Sequence, residues 1–317
     1  MKPAILDFGY RENGEIAVGR PGPTPDLGAR IMAAWMETCR SVVSPWECDV
    51  TEHFTIAYYF DRLADAGLTA IESLGVPDGA RPPTRRFDIR FVRELRAGAS
   101  LHILSAPVAL DEHLLRLGHQ VTDSTDGEVT AWVQETLEQT AAPLPKHLRD
   151  EIGGRLLPWP GPAIEQRPEP ATTEGFIPTV RDRIKPADLS SDGRLALSAL
   201  VHRFTAGSIQ ALAAIGATSS YMQTERRGYS TFELALQVTG STQPRGAVLV
   251  ETGIVHLGSS SIRFIHRMKD AATGNEYATL GQFGVQLDLN TRRPAALPER
   301  LRVAATRMLV PVVPSGG

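Results

Sequence analysis

The sequence predicts an α+β fold built twice over, and three observations carry that prediction. The same order of patterns, a short strand, a long amphipathic helix and four strand-like stretches, runs through residues 40–152 and again through 176–308. An offset of 141 residues places Gly75 on Gly216, Ile71 on Leu212, Leu63 on Phe204 and Arg85-Arg86 on Arg226-Arg227. The stretch between the copies, residues 153–175, is loaded with Pro and Gly and reads as a linker. So long a period indicates a duplicated domain rather than a solenoid.

Length and charge agree. With 317 residues, 42% of them hydrophobic, the chain is long enough for two domains with their own cores. A formal net charge of −3 gives no reason to expect nucleic acid or an anionic membrane as partner. The 2 cysteines, Cys39 and Cys48, imply no disulfide framework, so the cytoplasm is the expected compartment. The first residues lack the apolar run of a signal peptide, and no run is long enough to span a bilayer.

In order, residues 1–39 read as an arm rich in Gly and Pro, with a short helix over Gly28 to Cys39. A strand follows over Ser41 to Trp46, then an acidic turn, then a helix from His53 to Leu74. Its apolar stripe is Phe60, Leu63, Ala64, Gly67, Ile71 and Leu74. Four strands are expected over 85–95, 100–110, 112–122 and 128–137; in the first, Phe87, Ile89 and Phe91 alternate with Asp88 and Arg90. Asp123 to Gly127 is a hairpin turn, and Pro143 to Arg149 a short closing helix. After the linker come a strand over Phe176 to Ile184 and a helix over Arg194 to Ile215. The stripe of that helix is Leu197, Leu200, Val201, Phe204, Ile209, Leu212 and Ile215. Strands follow near 229–239, 247–257, 261–269 and 276–288, and residues 309–317 form a tail. Beyond the helices the offset grows, so that His119-Gln120-Val121-Thr122-Asp123 meets His266-Arg267-Met268-Lys269-Asp270.

The chemistry concentrates at Trp46-Glu47-Cys48-Asp49-Val50-Thr51-Glu52-His53-Phe54-Thr55-Ile56-Ala57-Tyr58-Tyr59. Asp49 is placed just before the helix start, where backbone N–H groups lack partners and the dipole is positive. A carboxylate there suits attack on, or hydration of, a carbonyl; Asp49 or Thr51 as a plain helix N-cap is the alternative. Cys48 is read as a small strand-end residue rather than a nucleophile, because no base stands at a recognisable spacing.

The stretch resembles the signature of hotdog-fold acyl-CoA thioesterases of the 4-hydroxybenzoyl-CoA thioesterase type, loosely Asp-x-x-Gly-His-x-Asn-x-x-x-Tyr. Asp49, His53 and Tyr59 match; Glu52 stands where that family has Gly, and Thr55 where it has Asn. With the duplication, the resemblance extends over residues 40–305 and implies a tandem double hotdog, each unit a curved antiparallel sheet wrapped around its long helix. It implies hydrolysis of a small-to-medium acyl-CoA, with Asp49 as nucleophile or general base and Glu52 and His53 as further catalytic candidates. The CoA thiolate leaves readily, so neither a metal nor a cofactor is expected, coenzyme A entering only as part of the substrate.

In the second unit Asp49 maps onto Ser190 and His53 onto Arg194, with Asp192 nearby, so one complete site is expected. Thr55, Tyr59, Ser190, Asp192 and Arg194 are the expected pocket residues. Arg85, Arg86, Arg226 and Arg227, at matched places in the repeat, are the candidates for the CoA phosphates; ordinary solvated strand starts are the alternative. Self-association is expected because such units still expose sheet edges. Two other functions fit the fold, an enoyl- or 3-hydroxyacyl-CoA hydratase or dehydratase and a non-catalytic acyl-CoA binder. The first uses an Asp–His spacing of five beside Asn-Pro, against four and no Asn-Pro here. A plant-type acyl-carrier-protein thioesterase keeps its catalytic residues in the second half, here the poorer one.

Overall fold

The computed structural model describes residues 9–10, 16–17, 34–49, 51–77, 80–139, 143–165, 167–190, 193–239 and 246–313. The chain forms two compact units, Met1–Ala163 and Ile164–Gly317. The first contains β1 (Met36–Val42), α1 (Ile56–Ser73), β2 (Thr84–Phe91), β3 (Ser100–Leu110), β4 (Leu114–Asp123), β5 (Val129–Glu138) and α2 (Lys146–Gly153). Its strands pair antiparallel in the order β1-β3-β4-β5-β2. The second contains β6 (Ile177–Arg183), α3 (Leu197–Ala214), α4 (Ser219–Thr224), β7 (Arg227–Val238), β8 (Ala247–Leu257), β9 (Ser261–Asp270), β10 (Glu276–Asp288) and α5 (Glu299–Thr306). Its strands pair in the order β6-β8-β9-β10-β7. The two orders are the same, so the repeat in the sequence is a repeat of fold, and each unit is a hotdog with its long helix against its sheet. No described helix is long and apolar enough to cross a membrane.

Apolar periodicity explains the packing. Phe60, Leu63 and Ile71 of α1 are buried against the sheet, and Phe60 meets Phe87 edge-on at 5.4 Å. Leu115, Leu117 and Leu137 complete the core beneath the end of α1, joined by Leu144 and Ile152 around α2. In the second unit Leu212, Ile215 and Tyr221 pack on Ile254, Ile262 and Phe264, closed by Leu301 and Ala305 of α5. Both long helices stop at a glycine of positive φ, Gly75 at 77° and Gly216 at 95°, the left-handed residue that ends a helix without a Cβ penalty.

Five expectations are corrected. The short helix over Gly28 to Cys39 does not form where the structure describes it: Met36–Val42 is a strand, and residues 28–33 lie outside the described residues. The strand expected over Ser41 to Trp46 therefore lies earlier, and Pro45–Glu47 is a 3-10 turn opened by the proline. Ile209 is 59% exposed, because the buried face of α3 runs through Phe204, Gly207, Ser208 and Ala211 and leaves Ile209 on the far side. The Pro/Gly-rich stretch does not begin as free chain. Leu157 N–H donates to Pro107 O at 3.0 Å, and Trp159 packs against Trp132 at 5.5 Å and Trp35 at 6.2 Å.

The fifth concerns the repeat. In β2 the pairing with β5 skips Arg85, between Thr84↔Leu137 and Arg86↔Thr136. In β7 the same bulge skips Phe232, between Thr231↔Gly284 and Glu233↔Phe283. The structural partner of Thr84 is thus Thr231, and Arg85-Arg86 do not correspond to Arg226-Arg227. The six-residue helix α4, with no counterpart among the described residues between α1 and β2, accounts for the jump in offset.

Both units carry a chain of buried polar side chains across the sheet. In the first, Thr38 Oγ1 lies 2.6 Å from Ser105 Oγ, which lies 2.7 Å from His119 Nδ1. His119 Nε2 is 3.4 Å from Glu135 Oε2, an ionic contact rather than a well-formed hydrogen bond, and the Thr84 hydroxyl donates to Glu135 Oε1. In the second, Thr179 Oγ1 is 2.9 Å from Thr252 Oγ1, itself 2.8 Å from His266 Nδ1, and Gln282 donates to Thr231 Oγ1 at 2.7 Å. There the Ser208 hydroxyl closes the network on both His266 and Gln282. In the first unit Gly67 holds that helix position, and a Cβ on it would lie 2.5 Å from Glu135 Oε2. The first network is charged. Burial disfavours the Glu135 carboxylate, but His119, Arg81 and Thr84 outweigh it and hold its pKa below the ordinary range. The second is neutral, burial pushing His266 down to about 4.

Candidate active site

The segment joining β1 to α1 is folded back on itself. Asp49 N–H donates to His53 O at 2.9 Å and Glu52 N–H to Asp49 O at 2.9 Å, closing a tight turn, while Cys48 and Phe54 form a bridge below it. Asp49 Oδ1 anchors the turn, accepting from Thr51 N–H (2.8 Å), the Thr51 hydroxyl (2.7 Å) and His53 N–H (3.1 Å). This corrects the expected placement of Asp49 at the mouth of the helix: α1 begins at Ile56 with Thr55 as its N-cap. Asp49 caps its own turn, as short polar side chains commonly do.

The turn brings polar groups together. Thr51 Oγ1 lies 2.9 Å from His53 Nδ1, and His53 Nε2 lies 2.9 Å from Glu94 Oε2. Glu94 follows β2, and this segment is docked by a His53–Arg96 bridge and by Phe54 N–H to Leu95 O at 2.8 Å. Asp49, Thr51, His53 and Glu94 thus form one chain of proton-sharing contacts. The Thr51 hydroxyl has a single proton, to give either to Asp49 or to the ring. The His53 side chain is 16% exposed and that of Glu94 32%, so the chain is sheltered but reachable. An imidazole held by a carboxylate beside a second carboxylate is an arrangement able to move a proton.

Of the other candidates near the turn, Glu52 has a positive φ of 65°, and its side chain, 81% exposed, lies 3.9 Å from Arg96. Thr55 is half-buried and makes no side-chain cap bond, leaving the first N–H groups of α1 without that partner. Tyr59 is 4% exposed, wedged against Phe54 at 4.5 Å and Phe91 at 5.2 Å, and burial raises its phenol pKa. The Cys48 thiol is also pushed up by burial, the opposite of activation.

The second unit repeats the turn with other chemistry. Ser190 N–H donates to Arg194 O at 2.8 Å, Gly193 N–H to Ser190 O at 2.9 Å, and Gly193 has φ 77° where the first unit has Glu52. The Ser190 hydroxyl donates to Arg194 O, Arg194 is exposed, and Asp192 lies outside the described residues. The arginine candidates are largely engaged: Arg85 with Glu138, Arg86 with Asp88 at 2.7 Å, and Arg227 with Asp288. Arg226 is exposed, with φ 51°.

Thr51 and Glu94 were not among the sequence candidates. Thr51 lies inside the motif, but Glu94 is 41 residues from His53 and nothing in its spacing announces it.

The positive φ explains why the family signature has Gly where this chain has Glu52. A side chain in that region costs about 1 kcal/mol. Glu52→Gly should therefore raise stability by about 0.5–1 kcal/mol, read from the urea midpoint. Turnover should hold within about threefold if Glu52 is a solvated turn residue, and fall by about 10²-fold if Glu52 is the base.

The sequence matches the model of one family, the thioesterase-like superfamily, twice over, at residues 43–151 and 186–304. A comparison with curated proteins found no match. Among solved structures, the fold is similar to a protein of Lactobacillus plantarum provisionally described as an oleoyl thioesterase, with 12% identity, 85% of this chain and 100% of that one covered, and a TM-score of 0.60. It is also similar to an acyl-ACP thioesterase from Bacteroides thetaiotaomicron, with 11% identity, coverage of 80% and 99%, and a TM-score of 0.60. A third is the 12:0-ACP thioesterase from Umbellularia californica, with 12% identity, coverage of 86% and 98%, and a TM-score of 0.58. At these identities the likeness establishes the fold. With two family segments spanning more than half of its length, the chain belongs to the thioesterase-like superfamily, with the fold of a tandem double hotdog.

Proposed function

We propose that the protein hydrolyses a small-to-medium acyl-CoA to the free acid and CoA at the turn of the first unit. The observation that carries this reading is the single chain of contacts from Asp49 through Thr51 and His53 to Glu94. Asp49 attacks the thioester carbonyl, giving an acyl anhydride that water then cleaves to the free acid and the regenerated carboxylate, or it takes a proton from a water that attacks the thioester directly. His53, held by Glu94, receives and returns the proton. The uncapped N–H groups at the start of α1 serve the developing oxyanion, each such donor being worth about 3 kcal/mol. The C–S bond breaks, and the thiolate leaves without a strong acid.

Two structural relatives, described as ACP thioesterases, support a second carrier, acyl carrier protein, which presents its acyl group on the same kind of thioester. Thiol release over matched acyl-CoA and acyl-ACP panels decides between them. Turnover of acyl-CoA at least tenfold more efficient than of the matching acyl-ACP is expected; the reverse ratio would assign the carrier to ACP. Tight binding without thiol release across both panels would remove the hydrolytic reading, and a change in enoyl absorbance without thiol release would point to a hydratase.

A further inference from the structure

The turn that carries Asp49 and His53 stands on two legs, and one side chain of α1 grips both. Arg62 Nη2 lies 2.5 Å from Glu47 Oε1 on the first leg. The same carboxylate accepts Ser44 N–H at 2.8 Å, and the Glu47 carbonyl accepts Thr55 N–H at 2.9 Å. On the second leg the Arg62 guanidinium sits 5.8 Å from the ring centre of Phe54, the residue after His53. Arg62 Nε donates to Ser41 Oγ at 3.2 Å, tying the grip to β1. We infer that Arg62 is a positioning residue for the hydrolysis: through Glu47 and Phe54 it fixes the Asp49 carboxylate relative to the His53 ring.

The second unit supplies the comparison. Arg203 there pairs with Asp188 at 2.7 Å and Asp182 at 3.0 Å, and bonds the carbonyls of Ala199 and Arg183. Asp188 O accepts Ala196 N–H at 2.9 Å, as Glu47 O accepts Thr55 N–H. The staple is the same, but the leg equivalent to Phe54 carries Leu195, and Ser190 and Arg194 replace the Asp–His pair. Thus the staple belongs to the fold, and the aromatic grip beside the histidine belongs to the unit that has the acid–base groups. A guanidinium fork is directional and tolerates little displacement of its partner. Small displacements of reacting groups cost large factors in rate.

This inference rests on the reading of Asp49 and His53 given above, and its test separates the two. Arg62→Met, Arg62→Lys, Phe54→Leu, Arg203→Met and Asp49→Asn are made in the full chain. Each is assayed by thiol release across pH, with thermal midpoints recorded. Arg62→Met should lower kcat by about 10- to 100-fold with KM within about threefold, and should alter the pH–rate profile. Arg62→Lys and Phe54→Leu should each lower kcat by at least about threefold. Arg203→Met should lose comparable thermal stability while its kcat stays within about twofold of wild type. Equal kcat in Arg62→Met and Arg203→Met would overturn the inference, as would unchanged kcat in both Arg62→Lys and Phe54→Leu if Arg62→Met does not fold. If Asp49→Asn is inactive while Arg62→Met is not, only the positioning role fails. If Asp49→Asn turns over normally, the site itself is misplaced.

Discussion

Asp49→Asn is expected to lower turnover by about 10²-fold or more, with little change in substrate affinity or stability. The substitution is unusually clean here. The three side-chain bonds that anchor the turn, from Thr51 N–H, the Thr51 hydroxyl and His53 N–H, all end on Oδ1, and an amide oxygen there can still accept them. What is lost is the negative charge, and with it both the nucleophile and the base. Ser190→Ala, the positional equivalent, is expected to cost less than about tenfold, since its hydroxyl donates to the Arg194 carbonyl and so serves the turn. Near-normal turnover in Asp49→Asn, or collapse in Ser190→Ala with the fold intact, would put the chemistry in the other half.

The largest stability effect is expected in the buried network of the first unit. His119→Leu should cost about 3–5 kcal/mol, because it strips the buried Glu135 carboxylate of its ring partner. Gly67→Ser alone should cost about 1–3 kcal/mol, since its Cβ would stand 2.5 Å from Glu135 Oε2. The pair Gly67→Ser and Glu135→Gln copies the network of the second unit, where Ser208 closes on His266 and Gln282. It should restore stability to within about 1 kcal/mol of wild type or exceed it, as neutral replacements of buried charges often do. Urea midpoints report all three, and a double variant as unstable as His119→Leu would refute the equivalence of the two networks.

The sequence by itself determined the duplicated architecture. Two helical stripes, strand alternation as at Phe87 and Ile89, and glycines at matched helix ends are local signals, and the physics that reads them acts over a few residues. The same local logic located the Asp49–His53 turn. It failed where the deciding contact was distant or the register slipped. Ile209 fits a helical stripe, yet only the packing of α3 shows which side faces the sheet. Arg85-Arg86 and Arg226-Arg227 match by offset, yet a six-residue helix separates them in the fold, as the matched bulges of β2 and β7 reveal. Glu94 reaches His53, and Arg62 reaches Glu47 and Phe54, only because chain folding brings distant segments within hydrogen-bonding range. Side-chain partnership across a fold depends on three-dimensional distance, which spacing along the chain does not encode; for that reason tertiary structure alone decided what surrounds the carboxylate the sequence had picked out.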